Sequence, residues 1–321
     1  MRGHANSECW AWRLCLLRMD ITLTTLRVIR EVAERGSFTA AAVALGYTQS
    51  AISRQVAAAE HEVGVQLFDR MTGGVRLTTA GQVLLRQGVI ALDAMDEAQR
   101  ELTGATIEVQ RVRLGVFAAA GSALLPRALS VLRRQFPDIE VTSREGSTPS
   151  LVRALRAGSI DLAILTSRAP HRSPDQEDPP LHLETLLDVR LALAVPVNGK
   201  FGGRVSVTAS EVADEPWIAS SSSMAEPLLG VWPGLPGRPQ IRHTSRDWLT
   251  KLELVAAGAG ITTVPGVLLP YVPEGVHITH LEGVAEEVRR VSIARLPGRR
   301  GDAVRAVADV LGKVAGQLLR S

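Results

Sequence analysis

The stretch Ser37 to Glu60, SFTAAAVALGYTQSAISRQVAAAE, decides how the chain is read. Ser37 is a candidate N-cap for a short helix, because its hydroxyl can accept from a free amide two or three residues on. The Ala-rich run ends at Gly46, and glycine tolerates the left-handed conformation of a sharp helix exit. Tyr47 or Thr48 then opens a second helix after about three residues, a spacing that suits a helix-turn-helix. In that second helix Ala51, Ile52 and Val56 recur at helical spacing and face inward. Thr48, Gln49, Ser50, Ser53 and Arg54 remain on its outer, N-terminal face. Gln can pair with adenine, Arg with guanine, and Ser or Thr with phosphate or base edges. No acid stands between Ser37 and Ala59. From spacing alone, the solvated face of an ordinary helical hairpin and a DNA-reading face stand as equal readings.

A longer ordered pattern separates them. Gly36 to Phe38, Ala41-Ala42, Leu45, Thr48-Gln49, Ala51-Ile52-Ser53, Val56 and Glu60 continue into Gly64-Val65, Leu67-Phe68, Arg70, Leu77-Thr78 and Ala80-Gly81. This pattern resembles the LysR-type transcriptional regulators. Ser50 stands where that family often has Pro, Ala59 where Leu usually precedes the Glu, and Gly73 where a basic residue is common. The first change bears on base preference, and the last removes one wing contact.

Composition agrees with a globular multidomain chain. It has 321 residues, 45% hydrophobic, with a formal net charge of +3. That length suffices for two or three packed domains, and bulk charge does not announce a nucleic-acid binder. Asp20 to Glu101 holds slightly more acids than bases, so placement must do what total charge does not. Arg54, Arg70 and Arg76 lie on the proposed binding elements, with Glu60, Glu62 and Asp69 flanking them. Weak nonspecific affinity and reliance on a dimer are expected. The two cysteines, Cys9 and Cys15, have no partner at metal-like spacing, so neither a disulfide framework nor a metal site is expected. Arg13 and Arg18 break the apolar patch between Cys9 and Leu17, which fits neither a secretory segment nor a membrane span. A cytoplasmic protein is expected, with residues 1 to 18 read as an extension from an upstream start codon.

Leu23, Leu26, Ile29 and Val32 mark a first helix closed by Gly36. Leu67 to Leu77, with Gly73-Gly74 at the tip, reads as a two-stranded wing from which Arg70 and Arg76 can reach DNA. The bland alternative for Arg70 is an ion pair with Asp69 or Glu62. Thr78 or Thr79 caps a long helix with an apolar stripe of Leu84, Ala91 or Leu92, Met95, Ala98 and Leu102. The resemblance implies that this helix pairs with a second chain; packing on its own domain is the alternative. Gly88 interrupts the stripe, where it is expected to bend or loosen the helix.

After a hinge at 104–110, strands and helices alternate as βαβαβ, which predicts a parallel sheet. The fold class expected is α+β multidomain: a winged helix-turn-helix at 20–79, a linker and dimerisation helix at 80–103, and an α/β effector domain. That domain resembles the periplasmic-binding-protein fold, with one subdomain at 111–187 and 265–300, a second at 188–264, and a closing helix at 301–321. Ligands in such sheets sit beyond the carboxyl ends of strands. The expected lining is Phe117, Ala119, Ser122, Gly146, Ser147, Thr148, Ser220, Ser221, Ser245 and Asp247, several at helix starts that favour an anion. Phe117 and Ala119 stand where the family often has Ser or Thr, which argues against an acidic metabolite and allows a more apolar effector. The simpler role for Ser147 and Thr148 is N-capping.

Enzymatic motifs fail on context. Gly258-Ala259-Gly260 follows a helix and is continued by Thr263, so it is no dinucleotide fingerprint. His277 and His280 have no carboxylate or Cys at ligand spacing, and there is no G-x-S-x-G elbow. The resemblance implies a non-enzymatic regulator without a cofactor. Its partners would be double-stranded promoter DNA, a small-molecule effector, further copies of the chain as a homodimer or homotetramer, and RNA polymerase. The competing class is a solute-binding or enzymatic α/β protein whose helices serve only for dimerisation.

Overall fold

A computed structural model describes residues 19–102, 109–175, 177–220, 229–235, 237–298 and 301–318. Two compact units divide after the long helix. The expected extension, most of the hinge, and Ser221 lie outside the described residues.

The first unit opens with α1 (Leu23–Arg35), α2 (Phe38–Leu45) and α3 (Gln49–Val63). Thr22, Ser37 and Thr48 cap them, each side chain accepting a backbone amide three residues on. Gly46 ends α2 at φ 71°, and Tyr47 N–H reaches back to Ala42 O at 2.9 Å, which closes the tight turn before α3. The core joins Val28, Ile29 and Val32 to Ala41, Ala42, Ile52 and Val56. Strands β1 (Phe68–Met71) and β2 (Gly74–Leu77) form the antiparallel wing, with Asp69 opposite Arg76 and Arg70 opposite Val75. Val75 N–H donates to Gly36 O at 2.9 Å, and a Cβ on Gly74 would lie 2.5 Å from that same oxygen. Glycine is required there for the wing to reach the α1–α2 corner.

Helix α4 (Thr79–Leu102) continues through Gly88, where the sequence suggests a bend or a looser turn. Gly88 is buried, and a Cβ there would meet Leu26 Cδ2 at 2.7 Å, so the missing side chain serves close approach to α1. Leu85, Val89 and Leu92 share that buried face. Ala91, Met95 and Leu102 lie on the exposed side, Leu102 being 89% exposed. Leu92 and Ala91, alternatives in the sequence, therefore fall on different faces.

The second unit begins with β3 (Gln110–Val116), α5 (Ala118–Ala123), α6 (Leu125–Gln135), β4 (Ile139–Glu145), α7 (Thr148–Arg156) and β5 (Leu162–Arg168). β3 pairs in parallel with β4 and β5, as βαβ crossovers require. Strand β6 (His182–Pro196) follows, where two strands breaking at Asp188 are expected from sequence. The doubled Leu186-Leu187 breaks the two-residue period through a bulge, since Val291 lies opposite Leu187 but Ser292 opposite Thr185. One strand thus serves both subdomains, its first part on β12 and its second on β10 and β11.

The chain continues through β7 (Ser206–Thr208), α8 (Ala209–Val212), β8 (Pro216–Ala219), β9 (Gln240–Thr244), α9 (Trp248–Ala256), β10 (Thr262–Pro265), a 3-10 helix (Gly266–Tyr271), β11 (Val276–Glu282), β12 (Val288–Arg295) and α10 (Asp302–Leu318). Because β11 pairs with the end of β6 and with β7, it belongs to the second subdomain. The return crossing therefore lies between Glu282 and Val288, later than the expected 264/265 boundary. Strand periodicity marks β11 but carries no information about its neighbours. Helix α10 buries Val307, Val310, Leu311 and Val314 on the core of the first subdomain with β3 and α6.

Candidate functional site

The outer face of α3 is built from its first turns. Thr48 Oγ1 accepts from Ala51 N–H at 3.2 Å and pairs with Ser50 Oγ at 3.1 Å, while Gln49 Nε2 donates to Ser53 Oγ at 2.9 Å. Thr48, Gln49, Ser50 and Arg54 are exposed, and Arg54 has no ion-pair partner among the described residues. Ser37 is half-buried and accepts from Ala40 N–H at 3.3 Å, so its hydroxyl holds the start of α2.

Glu60, expected from sequence only to flank the cations of the binding elements, has a structural role as well. Its Oε1 accepts from Leu67 N–H at 2.8 Å and Phe68 N–H at 3.2 Å, which ties the wing to the last turns of α3. Phe38 and Phe68 meet edge to face at 5.8 Å between centroids. Arg70 and Arg76 are exposed, and Arg70 forms no ion pair with Asp69 or Glu62. Side chains alternate along a strand, so the register sets the two arginines on opposite faces of the ribbon.

The expected effector residues fall into two groups. At the carboxyl ends of β3 and β5, Gly146 N–H donates to Val116 O at 3.0 Å. Thr148 Oγ1 accepts from Thr166 N–H at 3.3 Å and donates to Thr166 O at 3.2 Å. Ser147 Oγ donates to Ser150 Oγ at 3.3 Å, so both hydroxyls have side-chain roles other than plain capping. Ser122 is exposed and donates back to Ala118 O at 3.2 Å. Ala119, expected in the lining, is instead only 2% exposed, packed with Ala192, Ile218 and Leu252. Phe117 is half-buried between that cluster and the core of the first subdomain.

The second group sits where β8 and β9 end. Ser245 N–H donates to Ala219 O at 2.9 Å, and Ser245 Oγ accepts from Asp247 N–H at 3.1 Å. Asp247 Oδ2 accepts from Thr250 N–H at 2.6 Å, capping α9, and this bond holds the carboxyl below its ordinary pKa. Ser220 Oγ accepts from Lys251 Nζ at 2.8 Å. Lys251 is 1% exposed, with its ammonium 4.3 Å from the Trp248 ring centroid. Burial lowers its pKa to about 8, partly opposed by the charge of Asp247. The sequence reading missed Lys251. Its one visible signal is a cation inside the helical run WLTKLELVA, at a position that looks inward only once α9 is packed. Among the described residues, no three His, Cys, Asp or Glu come together as a metal cluster, and no helix is long and apolar enough to cross a membrane.

Comparison with known proteins fits this geometry. Residues 23–82 match the bacterial regulatory helix-turn-helix protein, lysR family, and residues 107–316 match the LysR substrate binding domain. The chain is 30% identical over 258 residues to the HTH-type transcriptional regulator AlsR of Bacillus subtilis, covering 76% of this chain and 80% of the relative. It is 27% identical over 299 residues to a "Probable hydrogen peroxide-inducible genes activator" of Mycobacterium avium, covering 91% and 94%. Among solved structures it resembles the Corynebacterium glutamicum OxyR C206S mutant, H2O2-bound, at TM-score 0.52 and 25% identity, covering 93% and 96%. The chain belongs to the LysR family and is a DNA-binding transcriptional regulator with an effector-binding domain, not an enzyme.

Proposed function

We propose that α3 reads double-stranded promoter DNA through Gln49, Ser50, Ser53 and Arg54, with Thr48, Ser37 and one of the two wing arginines, Arg70 or Arg76, at backbone or minor groove. The observation that carries this reading is the exposed polar N-terminal face of α3, where Arg54 has no ion-pair partner among the described residues. Phosphate or a base edge supplies the missing partner. The chain works as a homodimer or homotetramer in the cytoplasm, through the exposed apolar side of α4, and RNA polymerase is a further partner. A small-molecule effector binds between Gly146 to Thr148 and the Ser220, Lys251, Ser245 and Asp247 cluster. The buried ammonium of Lys251 favours an acceptor group on that effector. Effector binding shifts the chain between assembly states with different DNA spacing or bending, which requires unequal affinity for the two states.

The peroxide named for the mycobacterial relative does not reach this chain through a thiol in the effector domain. Its two cysteines are Cys9 and Cys15, both before the winged unit.

The test is a mobility shift at stated salt, with DNA upstream of the chain's own gene and a random library, comparing wild type with Gln49→Ala, Arg54→Ala. Loss of specific binding, expected at tenfold or more, roughly 1–3 kcal/mol per bidentate base contact, supports the reading. Equal binding by a folded double variant sinks it.

A further inference from the structure

A cleft of about 140 Å³, open to solvent, lies within the first effector subdomain, against β5, β6 and β12 and beneath residues 171–174. It contains none of the effector residues expected from sequence. Its polar lining includes Ser167, His171, Arg172, Arg290 and Ser292, and no carboxylate lines it. Leu165, Pro174 and Leu183 form an apolar side.

The polar groups have unspent hydrogen-bonding capacity. His171 is held at φ 54°, its N–H donating to Arg168 O at 2.8 Å, and its Nδ1 is buried with no hydrogen-bond partner. A buried ring nitrogen without a partner is costly, so it marks a place where a ligand atom belongs. Arg172 forms no ion pair with any described residue. Arg290 uses Nε and Nη2 on Asp188 at 2.9 and 3.0 Å, which leaves three of its five N–H groups for another acceptor. Ser167 and Ser292 make no side-chain hydrogen bond to a described residue.

We propose that this cleft is a second ligand site, separate from the effector site above, that takes a small monocarboxylate with a short hydrocarbon body. The carboxylate lies among Arg172, Arg290 and His171 Nδ1–H, where charge-assisted bonds are strongest. The hydrocarbon lies on Leu165, Pro174 and Leu183. A phosphate dianion would leave that apolar side unfilled, and a neutral ligand would leave the Arg172 guanidinium without an anionic partner and the remaining N–H groups of Arg290 without an anionic acceptor. Because Arg290 also clamps Asp188 on β6, just before that strand passes from β12 to β10, the ligand shares the guanidinium that holds the crossing between subdomains.

The full-length protein is titrated with butyrate, acetate and inorganic phosphate by ligand-observed NMR. Butyrate is expected to saturate and to bind roughly tenfold more tightly than acetate, from two further partly buried methylenes. Arg172→Ala should weaken butyrate roughly fivefold. His171→Asn, which tolerates the positive φ, should also weaken it, while Lys251→Met leaves it unchanged. Failure to saturate, equal binding by both cleft variants, or displacement by phosphate at lower concentration overturns the proposal. The Lys251 variant separates this outcome from failure of the effector reading.

Discussion

On α3, Gln49, Ser50 and Arg54 lie exposed, and Arg54 has no ion-pair partner within the described residues. At the ends of β8 and β9, by contrast, Lys251 is held to Ser220 at 2.8 Å and Ser245 to Asp247 at 3.1 Å. On the proposed function, the difference follows from the partner each region would meet. DNA brings its own dense charge, so a solvated cation can wait for it and release counterions on contact. A cleft that closes on a small molecule must hold its polar groups in place beforehand, because the cost of ordering them is otherwise subtracted from affinity.

The largest effect that sharpens this contrast concerns the buried amine. The folded pKa of Lys251 is about 8 against an ordinary 10.5, so between those values the unfolded chain binds more protons. Stability therefore rises as pH climbs from about 8 to about 10.5, by an order of about 3 kcal/mol. Below pH 8 the cost of burying the ammonium is fully present. Urea unfolding from pH 7 to 10.5 should show the rise in wild type and its absence in Lys251→Met; matching curves would mean that the ammonium is not desolvated.

Next in size is Glu60, which joins the reading helix to the wing. Glu60→Ala leaves the Leu67 and Phe68 amides without their acceptor and should cost about 1–3 kcal/mol in urea unfolding. Glu60→Gln keeps an acceptor oxygen and should cost less. If Glu60→Ala left stability unchanged and instead tightened DNA binding, the acid would act as a repulsive flank and not as a tether.

The smallest effect divides the wing. Arg70 and Arg76 lie on opposite faces of the ribbon, so a wing lying along DNA presents one of them to phosphate. One of the single substitutions Arg70→Ala and Arg76→Ala should lower the salt slope of binding by about one, and the other should leave it in place. Equal loss in both variants would place the ribbon edge-on.

The sequence by itself determined the local elements and the family. Ser37, Thr48, Gly46 and the Ile52–Val56 spacing locate the caps, the turn and the buried face of α3, because capping and helical periodicity act over a few residues. The same locality marked most strands of the effector unit. Tertiary structure alone decided which strands are neighbours, how β6 spans both subdomains, and where the chain returns after β11. It also gave Gly88 a close contact with α1 and Glu60 a tether to the wing, and it placed Ala119 in the core instead of the cleft lining. Lys251 and the unpartnered Nδ1 of His171 were illegible for the same reason. Burial and partnership belong to pairs of residues far apart in sequence, and periodicity reports only which face a residue is on, not what that face meets.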